Sequence, residues 1–308
     1  MSISSAAIET GAGHAPSATH GAEVSRGERF EFGRNWARFL ERLNEERVGS
    51  AVESLKRPLG AESLEGKTFL DVGCGSGLFS LAARRLGARV HSFDYDPLSV
   101  ACARELRRRL GEADTSPGWR IEPGSALDRT YLEGLGQFDI VYSWGVLHHT
   151  GRMWDALELA GRAVRPGGQL YIALYNDQGS KTVRWRRVKR LYNRLPRAVQ
   201  PAFAALAVAP DEGKAALRAL LSGRPGEYLR TWTRYQARRG MSKWRDIVDW
   251  VGGHPYEAAK VDEVFSFYRA RGFALEYLRC GGGLGCNEFV FRHLSPGPLA
   301  LPPSPGTP

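Results

Sequence analysis

Three glycines at alternate positions, in Gly73-Cys74-Gly75-Ser76-Gly77, follow the run Phe69-Leu70-Asp71-Val72, and Asp94 stands seventeen residues after the last of them. Glycine is needed where a backbone turns sharply and lies directly against a ligand, because a Cβ would block the approach. The spacing predicts a strand running into the glycines and a helix opening at Leu78. A second strand, Ala88 to Phe93, ends on Asp94, whose carboxylate is placed to accept hydrogen bonds from ribose hydroxyls. Such a layout binds a nucleoside. A dinucleotide fingerprint would space its glycines G-x-G-x-x-G and turn a helix N-terminus toward a pyrophosphate. Here the spacing is G-x-G-x-G, and Asp71 precedes it. An anion at the strand end repels a pyrophosphate and suits a cationic amino group.

Residues Leu70 to Gly77 resemble motif I of the class I S-adenosylmethionine-dependent methyltransferases, whose cofactor carries an amino acid and a sulfonium in place of phosphates. The resemblance implies that the loop of Asp71, Gly73, Cys74, Gly75 and Gly77 holds the methionine part. It implies that Asp94 holds the ribose and that Tyr95 lies against the adenine. Gly124-Ser125-Ala126 falls where the family contacts the adenine edge, with Ser125 standing where Asp is more usual. Phe138 to Ser143 resembles the fourth strand, with Ser143 and Trp144 completing the expected cofactor wall. Trp144-Gly145-Val146-Leu147-His148-His149 then lies where the family places its active-site loop.

The elements that must position these residues alternate from Lys67 to Leu174, a short apolar run and then a helical one. That pattern implies a parallel sheet with helices on both faces and ligands at the carboxyl ends of its strands. Arg165-Pro166-Gly167-Gly168 resembles the family's turn into a fifth strand, Gln169 to Leu174. Phe273 to Leu278 and Glu288 to Phe291 resemble its closing antiparallel pair. The expected fold class is therefore α/β: a Rossmann-like, seven-stranded, mostly parallel sheet with a helical lid insertion.

The expected division is a disordered tail over 1–27, a methyltransferase core over 28–175, a lid over 176–262, the closing strands over 263–293 and a Pro-rich tail over 294–308. Phe30, Phe32, Trp36, Phe39, Leu40 and Leu43 recur at helical spacing and predict an amphipathic helix over 28–48. Phe32 and Trp36 are candidates to cover the cofactor. Helices are expected over 180–194, 211–222, 225–239 and 242–251.

Methyl transfer from a sulfonium is an in-line displacement, much of whose acceleration comes from positioning. A hydroxyl acceptor must also lose a proton, for which histidine is the natural base. His148 and His149 are the candidates, and if their loop enters a helix only one of them points into the pocket. His149 is favoured. Further acceptor candidates are Trp244, Trp250, Tyr256 and His254 in the aromatic run that ends Gly-Gly-His-Pro-Tyr, together with Asn176, Asp177, Asn287 and Glu288. Core packing, capping and turn roles account for most of these equally well.

The net charge is +10, with eight basic residues between Lys181 and Arg197 and no acid among them, so the rest of the chain carries +2. This segment fits a solvated lid face, peripheral contact with an anionic membrane, or a nucleic acid. The Ser143-Trp144-Gly145-Val146 sequence differs from the Asn/Asp-Pro-Pro-aromatic tetrapeptide with which the family methylates base amino groups. There is also no Pro-Cys pair for a cytosine nucleophile. Nucleic acid is therefore disfavoured. No apolar run reaches the roughly 20 residues that span a bilayer, and the first residues do not read as a secretory signal. Cys280, Cys286 and His293 match no common zinc spacing, so no metal is expected. Four free thiols suit a reducing cytoplasm. The sequence thus points to S-adenosylmethionine-dependent methylation of a small molecule, most simply at a hydroxyl of a phenolic, lipid-linked or sugar acceptor. An RNA-modifying enzyme and a non-catalytic cofactor-binding subunit are the alternatives.

Overall fold

The computed structural model of the protein describes residues 16–33, 36, 40, 43–110, 118–233 and 242–295. Seven strands form one sheet: β1 (Thr68–Val72), β2 (Arg89–Asp94), β3 (Trp119–Pro123), β4 (Phe138–Trp144), β5 (Val164–Tyr175), β6 (Phe273–Arg279) and β7 (Cys286–His293). Their order is β3-β2-β1-β4-β5-β7-β6. Strands β1 to β5 run parallel, and β7 lies antiparallel between β5 and β6. The chain moves outward from β1 to β3 and then returns to β4 on the other side of β1. That reversal opens a crevice at the carboxyl ends of β1 and β4, the usual ligand position in such sheets.

Both faces of the sheet are covered, which is why β1 and β5 are apolar without alternation. Phe69 packs with Leu55, Leu81 and Trp119 on one face. Leu70 and Val72 pack with Leu157, Tyr268 and Phe291 on the other. The first face is covered by α2 (Glu45–Leu59), α3 (Leu78–Arg85) and α4 (Pro97–Arg109), and the second by α5 (Arg129–Leu135), α6 (Met153–Arg162) and α11 (Val261–Arg269). Between β5 and α11 lie α7 (Ser180–Arg194), α8 (Gln200–Leu221), α9 (Pro225–Thr233) and α10 (Lys243–Gly252). Trp185, Tyr192, Ala204, Ile247, Val251 and Tyr256 form a third apolar cluster among them. No helix among the described residues is long and apolar enough to cross a membrane.

Several sequence expectations are corrected. Pro16–Ser25, expected within a disordered tail, forms helix α1. It is held by His20, 3.8 Å from Asp96, and by Glu23, which accepts from Arg29 at 2.6 Å. No continuous helix runs over 28–48: Gly33, Trp36 and Leu40 are helical, as the spacing predicts, but Glu28 to Phe32 is irregular and α2 begins only at Glu45. Its ends are fixed by Asn44, whose side chain accepts from the Arg47 N–H, and by Gly60 in the left-handed region. Phe39, part of that reading, lies outside the described residues. Helix α8 starts eleven residues before the predicted 211, with Pro201 in its first turn and Pro210 inside it. The predicted helix 225–239 is described as far as Thr233.

The basic segment is also not one solvated face. On α7 the buried stripe is Thr182, Trp185, Lys189 and Tyr192, while Val183 and Leu191 are exposed. Lys189 donates to the Trp250 carbonyl, and its ammonium lies 4.0 Å from the Trp250 ring centroid. Arg186 is half-buried and donates to the Tyr256 carbonyl at 3.2 Å. The other six basic residues, from Lys181 to Arg197, face solvent.

Candidate active site

The β1–α3 turn needs glycine because its backbone conformation excludes other residues. Gly75 has φ 53, and a Cβ there would come within 3.0 Å of the Trp36 ring. Its N–H donates to Asp94 Oδ2 at 2.9 Å, so the glycine loop and the end of β2 are tied together. The other Asp94 oxygen accepts from the Asp96 N–H at 2.9 Å. Burial pushes the Asp94 carboxyl up to about 6, despite the two N–H groups that favour its charge.

Asp71 is 2% exposed. It accepts from Ser80 Oγ at 2.5 Å, Ser80 Oγ lies 2.7 Å from Ser92 Oγ, and Trp119 Nε1 donates to Ser92 Oγ at 2.8 Å. This chain of donors is aimed at Asp71, yet burial still lifts its carboxyl to about 7. In the unfolded chain the same group has its ordinary value of 3.8. The folded state therefore binds the extra proton between about pH 4 and 7, and this group's contribution to stability falls as pH rises through that window. Asp71→Asn should raise the melting temperature of the ligand-free protein by on the order of 5 °C at pH 8 and by much less at pH 5. Thermal melts at the two pH values check this, and an equal effect at both would refute the buried charge.

These residues line a cavity of about 1080 Å³ at the carboxyl ends of the strands. Of the residues expected to hold a cofactor, Asp71, Gly73, Cys74, Gly75, Asp94, Tyr95, Ser125 and Ala126 line it. Tyr95 donates to Glu23 at 3.2 Å, has the Arg29 guanidinium 4.8 Å from its ring centroid and meets the His20 ring edge-on at 5.4 Å. Helix α1 thus lies beside the end of β2, against Tyr95. His20 and Glu23 were missed because their segment read as a tail, and Arg29 because it fell among the polar positions of the helix expected over 28–48. Ser125 Oγ accepts from the Leu127 N–H at 3.2 Å.

Two expected cofactor residues lie outside the cavity wall. Gly77 caps α3 against Ala103 and Trp119. Ser143 is fully buried and donates to the Val72 carbonyl at 2.9 Å, pinning β4 to β1. Phe32, Trp36 and Trp144 do line the cavity. The donor set fits S-adenosylmethionine. Asp94 and Asp96 suit a ribose diol, Asp71 suits a cationic amino group, and the glycine loop contributes no basic side chain that would favour a pyrophosphate.

The two histidines form a 3₁₀ turn after β4, Leu147–His149, and their environments differ. His149 lines the cavity, and its Nδ1 lies 2.5 Å from the Pro255 carbonyl oxygen. A carbonyl only accepts, so the proton sits on Nδ1 and Nε2 keeps its lone pair. Burial drives the His149 imidazolium down to about 3, so the ring is neutral. The His149 carbonyl accepts from Arg29 at 3.0 Å.

His148 is wholly buried, off the cavity wall, with its ring centroid 4.0 Å from that of Tyr175 and the planes tilted by 37°. Its Nδ1 accepts from the Tyr175 N–H at 3.3 Å, a structural contact. The reading of His148 as a base is corrected by this position. His254, Tyr256 and Trp244 also lie off the wall. The Asp177 carboxylate accepts from the Gly179 N–H, Asn176 donates to the Gly283 carbonyl, and Asn287 accepts from the Gly281 N–H. Glu288 accepts from the Tyr171 hydroxyl. Of the turn that begins at Tyr175, read in the sequence as able to reach the acceptor, Tyr175 lines the cavity beside Trp250; Asp246 and Asp249 on α10 line it too and were missed.

Residues 70–172 match the methyltransferase domain family. A ubiquinone biosynthesis O-methyltransferase from Methylobacterium sp. (strain 4-46) is 33% identical over 144 residues, 45% of this chain and 55% of the relative. One from Caulobacter vibrioides is 32% identical over 112 residues, 36% and 42% of the two chains. The chain spans about half the length of the curated relatives it matches. PKMT2 from Rickettsia typhi, solved in complex with AdoHcy, shares the fold with a TM-score of 0.51 at 11% identity, covering 79% of this chain and 52% of that one. With the glycine turn, the Asp94 carboxylate and the β1/β4 crevice in one cavity, residues 70–172 form a methyltransferase domain of the class I S-adenosylmethionine-dependent family.

Proposed function

We propose that the protein methylates a hydroxyl of a small-molecule acceptor, with His149 as the general base. The observation that carries this reading is the His149 ring. It faces the cavity neutral, with its tautomer fixed by the Pro255 carbonyl and Nε2 available to take a proton. Bound S-adenosylmethionine supplies a methyl group made electrophilic by its sulfonium charge. Asp94 and Asp71 would hold the ribose and the amino group of that cofactor. Trp144, partly exposed at the end of β4, offers a ring face to a positive charge. Phe30, Phe32, Tyr175 and Trp250 also line the cavity and give an acceptor an apolar, aromatic surface to pack against. As the hydroxyl loses its proton, the imidazolium formed on His149 is favoured by its bond to the Pro255 carbonyl and opposed by the burial that holds it at about 3, so the transfer requires an acceptor whose negative charge develops beside the ring. The relatives named as O-methyltransferases support oxygen as the acceptor atom.

The test is transfer of a labelled methyl group from S-adenosylmethionine to a catechol, a lipid-linked phenol and a hexose glycoside. The expected product is a labelled ether, stable to mild alkali. Label found only on carbon would overturn the oxygen assignment.

A further inference from the structure

The chain carries +10, yet the cavity collects acids. Asp71, Asp94 and Asp96 belong to the cofactor end. Asp246 and Asp249 lie elsewhere on the wall, three residues apart on α10 and beside Trp250. Ring contacts place this group at the acceptor end: His149 lies 5.5 Å from Tyr175, and Tyr175 lies 5.6 Å from Trp250. Both Asp246 and Asp249 are close enough to Tyr175 to raise its phenol. The cationic side chains that line the cavity among the described residues are Arg29 and Arg152. Arg29 is engaged with Glu23 and Tyr95, and Arg152 with Asp155.

Each acceptor class meets this wall differently. A phosphorylated or carboxylated acceptor is disfavoured by the Asp246 carboxylate and the part-charged Asp249, an effect that the Arg245 charge partly offsets. A flat ring without hydroxyls displaces water from the carboxylates and returns no hydrogen bond. An ionised carboxylate offers about four acceptor sites, and Asp246 and Asp249 each also have a partner within the protein. Burial and the Asp246 charge push Asp249 up to about 7, so near neutrality the pair both donates and accepts. Adjacent hydroxyls on a ring also donate and accept, and the C–H face of such a ring packs on aromatic side chains.

Resting on the hydroxyl-transfer reading above, we propose that the acceptor is a neutral polyhydroxylated ring of the sugar class. Asp246 and Asp249 hold a pair of its hydroxyls, and the Trp250 and Tyr175 rings pack against its face.

The test is saturation-transfer NMR on the full chain loaded with S-adenosylhomocysteine. The probes are methyl glycosides of glucose, galactose, rhamnose, xylose and glucosamine, with catechol and benzylamine beside them. At least one glycoside should show saturation transfer. Asp246→Ala and Asp249→Ala should each weaken it at least tenfold, and Asp249→Asn, which keeps one acceptor and gains a donor, should recover part of the loss. S-adenosylhomocysteine affinity within twofold of wild type shows that the variants are folded. No transfer from any glycoside, stronger transfer from benzylamine, or glycoside binding indifferent to both alanine variants would overturn the proposal. Labelled methyl transfer separates the two readings. Label on catechol oxygen without glycoside binding keeps the hydroxyl chemistry and removes the sugar. Label on the nitrogen of the bound glucosaminide removes the hydroxyl chemistry and keeps the polyol.

Discussion

Asp94→Ala should weaken S-adenosylmethionine binding by about two orders of magnitude, because hydrogen bonds to a charged group contribute about 1.5–3 kcal/mol each and 1.4 kcal/mol is a factor of ten. The carboxylate has two tasks. Toward the cavity it offers the lone pairs that a ribose diol requires. Toward the protein its two oxygens accept from the N–H groups of Gly75 and Asp96, which sets the glycine turn against the end of β2. Asp94→Asn should fall between wild type and alanine, since one amide oxygen replaces two acceptors and the NH₂ meets a backbone N–H. Calorimetric titration measures both variants, and unchanged affinity in the alanine variant would remove the ribose assignment. The binding should also depend on pH. Asp94 and Asp71 are pushed up to about 6 and 7. Both are charged above those values and protonated below them, so wild-type affinity should decline as pH falls from 8 to 5.5. Asp94→Ala should lose the part of that decline centred near 6.

The parts of the site set by local backbone geometry were legible in the sequence. Alternating glycines before a helix and an acid at the tip of the next strand have few structural readings, and Gly73, Gly75 and Asp94 stand together on the cavity. Residues placed by distant partners were not legible. Helix α1 has the composition of a tail and is fixed by His20 and Glu23 reaching Asp96, Arg29 and Tyr95. The sequence did contain the true start of α2, in Asn44 followed by two glutamates and closed by Gly60. The aromatic spacing from Phe30 to Leu43 outweighed those caps because periodicity counts apolar residues and ignores where a helix can begin. On α10 the tryptophans drew the reading to Trp244, which is partly exposed, while the informative positions were the acids Asp246 and Asp249. An acid next to a tryptophan looks like the solvent edge of an amphipathic helix until another element is folded over it.

The difference between His148 and His149 is also tertiary, and the second large effect follows from it. His149→Ala should lower the turnover number by 10² to 10⁴ while leaving S-adenosylmethionine affinity close to wild type, the usual range for a lost general base. The bond that fixes the ring comes from Pro255, 106 residues away in sequence, so neither histidine could be chosen from the loop alone. Because burial holds the His149 imidazolium at about 3, the ring stays neutral from pH 5 upward. An acid limb of the wild-type rate above pH 5 should therefore follow Asp94 and Asp71 and should appear in the Michaelis constant for the cofactor. In His149→Ala the rate should instead climb with pH, as hydroxide replaces the missing imidazole. The vacated space should admit free imidazole and restore part of the turnover, an effect that a purely structural histidine would not show. His148→Ala offers the contrast: it removes a fully buried ring packed against Tyr175, so it should lower the melting temperature and give no recovery with imidazole. A wild-type rate in His149→Ala, or equal imidazole recovery in both variants, would end the assignment of His149 as the base.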